Sequence, residues 1–83
     1  MISIKNLLNK IKWDKNLNPE DYTLYYLDRI SKTLKRIKYP DIRRVEGNFI
    51  IIRKQGKQQA EEASIPMHRI RRVKEKGVIV WQR

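Results

Sequence analysis

Apolar residues at Ile4, Leu7, Leu8 and Ile11 follow the i, i+3, i+4, i+7 spacing of one helix face. The spacing predicts a helix over residues 3–12, with Ser3 as N-cap and Lys5, Asn6, Asn9, Lys10 and Lys12 on the other faces. Trp13 ends the segment, and its commoner role there is to plug the core. Residues 14–21 are dense in turn formers and read as a loop. From Tyr22 to Arg29 the chain is aromatic and β-prone, which predicts a strand. A turn at Ser31-Lys32 leads to a hairpin partner over 33–38, and Pro40 breaks the extended pattern after it. Gly47-Asn48 reads as a tight turn before a buried strand, Phe49 to Arg53. Residues 54–63 are the most polar stretch and read as an exposed connection with a helical turn at Ala60–Ala63. A final hairpin pairs Ile70–Val73 with Val78–Trp81 around Glu75-Lys76-Gly77.

The segment from Ile37 to Val45 is echoed from Ile65 to Val73, each ending in Ile-Arg-Arg-Val. Adjacent arginines on a regular strand point to opposite faces, so each copy puts one Arg beside its Ile unless the strand bulges. The outline is α+β: one N-terminal amphipathic helix on a mostly antiparallel sheet that is able to curl into a barrel-like form.

Length changes this picture little. The 83 residues suit a single basic domain spanning 1–83, which buries roughly 60% of its unfolded surface and leaves little room for a deep enclosed cavity. Charge changes it more. Twenty Lys and Arg stand against nine Asp and Glu, a formal net charge of +11. Such a surface attracts polyanions, phosphate backbones first. With no cysteine and His68 the only histidine, disulfides, thiolate catalysis and Cys- or multi-His metal sites are excluded, and no metal or other cofactor is expected. No apolar run approaches the ~20 residues that span a bilayer, so no membrane partner is expected. The N-terminus lacks signal-peptide features, which points to the cytoplasm.

Four groupings carry candidate chemistry. In Ile65-Pro66-Met67-His68-Arg69-Ile70, a turn would display His68 and Arg69 together, a compact phosphate clamp, while the isoleucines anchor its ends. The plainer reading of the same residues is that His68 packs the turn and Arg69 is solvated. Lys12-Trp13-Asp14 sets a cation beside an indole, which suits phosphate and base together. Tyr22, Tyr25 and Tyr26 lead into Asp28-Arg29, and rings beside cations on a strand are how sheet-based RNA binders stack bases. Trp81 and Arg83 form another aromatic–basic pair, or the tail of an edge strand. Walker, GxGxxG, HExxH and EF-hand patterns are absent.

The order of these pieces resembles a mostly archaeal family, the RNA cyclic-group end recognition domain. The matching segments are residues 7–14 around Lys-Trp-Asp, Pro19-Glu20-Asp21-Tyr22, Asp28-Arg29, residues 65–70 and Gly77 to Trp81. The resemblance implies binding of RNA 3′ ends, especially 2′,3′-cyclic phosphates, in company with RNA-processing proteins. It implies a site of Lys12, Trp13, Asp28, Arg29, His68 and Arg69, to which the strand reading adds Tyr26. Met67 stands where the family has an aromatic, and the 54–63 stretch is longer than usual.

The expected function is therefore RNA binding, to single strands or 3′ ends, by a non-enzymatic monomer or weak dimer. The alternative is a protein-interaction or ribonucleoprotein-assembly part. A cyclic phosphodiesterase or ribonuclease is a lesser one, because RNA cleavage needs two groups titrating near neutrality and His68 has no evident partner.

Overall fold

The computed structural model describes residues 2–55 and 60–83, with the backbone alone for 54, 55, 60 and 61. Helix α1 runs Ile4–Trp13, and the Ser3 hydroxyl accepts the Asn6 N–H at 3.2 Å, as an N-cap should. Among the described residues seven strands come after it: β1 Tyr22–Leu27, β2 Leu34–Lys38, β3 Ile42–Glu46, β4 Phe49–Gln55, β5 Ala60–Pro66, β6 Ile70–Glu75 and β7 Val78–Gln82. Three short 3₁₀ turns, Pro19–Asp21, Tyr39–Asp41 and Met67–Arg69, punctuate them.

The strands form two antiparallel sheets rather than one, ordered β2-β1-β6-β7 and β3-β4-β5. No pairing closes them into a barrel among the described residues. The helical turn expected at Ala60–Ala63 is instead the start of β5, paired with β4 from Gln55↔Ala60 to Phe49↔Pro66. Helix propensity lost there to the ladder that β4 offers. Residues 56–59 of the expected polar connection lie outside the described residues. The first strand stops at Leu27, so Asp28 and Arg29 belong to the turn.

The internal echo is structural. Each copy runs strand, 3₁₀ turn, strand, two-residue turn, strand: β2 to β4 in one, β5 to β7 in the other. Each 3₁₀ turn hands the chain from one sheet to the other. Both copies also carry a β-bulge in Ile-Arg-Arg-Val. Ile42 faces Ile52 and Arg44 faces Ile51, leaving Arg43 as the extra residue. Tyr26 faces Ile70 and Tyr25 faces Arg72, leaving Arg71 extra. The bulge lets Ile70 and Val73 both point inward while the two arginines stay out. In the final turn Lys76 and Gly77 both have positive φ, +50° and +82°, as a tight hairpin of this twist requires.

One core joins the α1 stripe (Ile4, Leu7, Leu8, Ile11) to the inner faces of both sheets, with Leu24, Ile50, Ile70 and Val73 at its centre. Each of these side chains contributes about 1.5–3 kcal/mol by leaving water. Trp81, not Trp13, is the plug. It is buried, and its indole N–H donates to the Ile2 carbonyl at 2.9 Å, tying β7 to the start of α1. No helix among the described residues is long and apolar enough to cross a membrane.

Candidate nucleic-acid interface

Ile65 and Ile70 are buried on either side of the third 3₁₀ turn, and Met67 is buried within it. Those three anchors leave His68 exposed and Arg69 half-buried at its surface. The Ile70 N–H closes the turn on the Met67 carbonyl, and the Met67 N–H donates to the Asn48 carbonyl at 2.8 Å. Arg83 adds a contact to the Met67 carbonyl at 3.4 Å. Met67, where the resemblance implies an aromatic, is thus a core side chain and offers no stacking surface.

The β1–β2 turn faces this one, and Asp28 organises it. Its backbone N–H donates to the Thr33 carbonyl and its own carbonyl accepts the Lys32 N–H, each at 2.9 Å. Its carboxylate meets Lys35 Nζ at 3.0 Å, the Ser31 hydroxyl at 2.9 Å and the Ile30 N–H at 3.4 Å. Lys35, then Ser31, then the Ile30 amide hold that carboxyl down at about 2. Asp28 is therefore a fully ionised turn organiser, and Arg29 and Lys32 project from the loop it fixes.

Between the two turns lies an open concavity of about 430 Å³, lined by Leu27, Asp28, Arg29, Lys32, His68, Arg69 and Arg71. Four of the expected site residues meet here: Asp28, Arg29, His68 and Arg69. Lys32 and Arg71 join them and carry no signal in the sequence motifs. The Ile-Arg-Arg-Val echo points to Arg71 only once the bulge in β6 is known. None of Arg29, Lys32, His68, Arg69 and Arg71 takes part in an ion pair among the described residues. The one carboxylate on the lining already has a cation of its own.

Lys12, Trp13 and Tyr26 do not line this concavity. Lys12 lines a separate cleft of about 270 Å³ between α1 and β3, which shares no residue with the first. There the Tyr39 hydroxyl donates to the Leu8 carbonyl at 3.2 Å, and burial raises the Tyr39 phenol above its ordinary pKa. The arginines of that cleft are committed: Arg44 to Glu46 and Glu62, Arg43 to Glu62. Trp13 is 74% exposed, correcting the core-plug expectation, and the Lys12 ammonium sits 5.2 Å from its ring centroid. Tyr26 packs against the core with Tyr22 and Leu24, so it is not the ring this strand offers to solvent. Tyr25 is that ring, with the Lys74 ammonium 5.2 Å from its centroid.

A family model described as the MJ1316 RNA cyclic group end recognition domain matches residues 1–83. Similar proteins include a UPF0248 protein of Metallosphaera sedula, 32% identical over 82 residues, covering 99% of this chain and 94% of that one. A UPF0248 protein of Saccharolobus solfataricus is 27% identical over 85 residues, covering 99% and 98%. No solved structure matches.

Proposed function

The chain belongs to the MJ1316 RNA cyclic group end recognition domain family, and from that premise we propose that it binds RNA and seats a phosphorylated 3′ end between the β1–β2 turn and the Met67–Arg69 turn. The observation that carries the reading is the set of uncommitted cations, Arg29, Lys32, Arg69 and Arg71, gathered with His68 over the apolar Leu27 floor. A 2′,3′-cyclic phosphate presents less charge than a phosphomonoester and more apolar ribose surface. Arginines around a leucine floor suit that combination, since the guanidinium fork matches phosphate oxygens. Binding without cleavage fits the same residues. Asp28, the only carboxylate on the lining among the described residues, is held near 2 and makes a poor acid or base at neutral pH.

Anisotropy titration of three matched short RNAs, ending in a 2′,3′-cyclic phosphate, a 3′-phosphate and a 3′-hydroxyl, tests this at about 150 mM salt, where nonspecific attraction is weak. The cyclic end should bind tightest. His68→Ala and Arg69→Ala should each remove about tenfold of that affinity, as expected for loss of a charged hydrogen bond. Equal binding of all three ends would overturn end recognition.

A further inference from the structure

The four-stranded sheet packs one face on the core and leaves the other to solvent. Tyr25 stands on that outer face, midway along β1. Cross-strand register places Arg36 of β2 and Arg72 of β6 directly on either side of it. The neighbouring row repeats the arrangement, with Lys38 and Lys74 flanking Thr23. Directly opposed residues of antiparallel strands share a face, so four cations frame one aromatic ring. None of the four is in an ion pair, and no acidic residue stands on this face, among the described residues.

This face runs into the end-binding concavity. Leu27 comes after Tyr25 on the same side of β1, about 7 Å along the strand, and Leu27 lines that concavity. From Tyr25 to the terminal-phosphate position is thus a continuous surface.

We propose that the outer face of the β2-β1-β6-β7 sheet is a track for single-stranded RNA, with Tyr25 stacking a base next to the bound 3′ end and Arg36, Arg72, Lys38 and Lys74 meeting the phosphates behind it. The proposal rests on the end-binding reading for the direction of the strand, not for the existence of the track. Lys74 already lies over the ring, so the ring presents its π-face outward. A base takes that place as the ammonium moves to an adjacent phosphate. Stacking on an aromatic platform within a cationic groove binds single strands with little sequence preference. Charge selects the occupant: a face with two arginines, two lysines and no acid is complementary to a polyanion and repels another basic surface.

The test titrates the full chain with a mononucleotide and an eight-nucleotide RNA, each with a cyclic-phosphate and a 3′-hydroxyl end. The wild type should bind the longer RNA more tightly. Tyr25→Leu, which keeps a strand-compatible apolar residue, should lose about 5- to 20-fold on the eight-nucleotide RNA and little on the mononucleotide. Tyr25→Phe should restore the binding. The ratio between ends should be the same in all three proteins, whereas His68→Ala should change that ratio and leave the length gain. A length gain that Tyr25→Leu leaves intact overturns the track, and so does one removed by Trp13→Ala instead. A length gain lost in Tyr25→Leu without any end preference supports the track and fails the end-binding reading alone.

Discussion

At the scale of single residues, the chain separates charges that build the fold from charges left for a ligand. Asp28 is the clearest builder: one carboxylate takes a lysine, a hydroxyl and a backbone amide, and so shapes the loop that carries Arg29 and Lys32. Its carboxyl sits at about 2 in the folded chain against 3.8 for the free group. A folded value below the unfolded one means the stabilisation is complete above about pH 4 and disappears as pH falls through 2. Carboxyl-carbon NMR should therefore show Asp28 titrating with a midpoint near 2. In Lys35→Gln, which removes the largest cause, the midpoint should rise toward 3.8. A wild-type midpoint near 4 would mean the turn is not held this way in solution. The same residue shows why Asp28 reads from sequence as a ligand contact: the motif reveals its presence beside Arg29, but not that Ser31 and Lys35 claim its oxygens.

At the scale of elements, packing decides what each segment becomes. Ile70 is fully buried where β6 leaves the Met67–Arg69 turn, and it holds both the core and the turn that displays His68. Ile70→Ala should cost about 2–5 kcal/mol and lower the melting temperature by roughly 10 °C or more in a domain of this size. Calorimetry checks it, and Ile79→Ala, on the exposed part of β7, should shift melting far less. Equal losses would mean that β7 is covered in solution. The helix was legible because its stripe, its cap and its length agree locally, and the turns before β4 and β7 because Gly47 and Gly77 mark them. β5 was not, since Ala60 to Ala63 carries no strand signal and pairs only because β4 presents an unsatisfied edge. The tryptophans exchanged roles for a related reason. Both lie in the last two positions of an element with a cation 5.2 Å from the ring, and only the long-range bond from Trp81 to Ile2 tells plug from surface. The ring on the outer face is Tyr25 and not Tyr26, because alternation along β1 gives two faces without saying which is inside.

At the scale of the whole molecule, net charge overstates what an RNA meets. Of the twenty basic side chains, Lys35, Arg43, Arg44 and Lys76 are engaged with carboxylates. The concavity between the two turns contributes four uncommitted cations, and the outer sheet face contributes four more. Each phosphate neutralised on a single strand adds about 0.7 to the slope of log K against log salt. An RNA short enough to fill only the concavity brings one or two phosphates there and should therefore show a slope of about −1, and one long enough to place four more phosphates on the sheet a slope of about −4. Arg36→Gln with Arg72→Gln should bring the longer RNA back by about 1.4 and leave the shorter one unchanged. A flat dependence would mean that no phosphate is contacted at all. A slope that steepens with every added nucleotide beyond about −4 would mean that RNA coats the basic surface at large, including the α1–β3 cleft whose arginines are tied to Glu46 and Glu62. A plateau is the outcome expected of a molecule that uses its carboxylates to occupy the arginines of one basic cleft and keeps those of the other open.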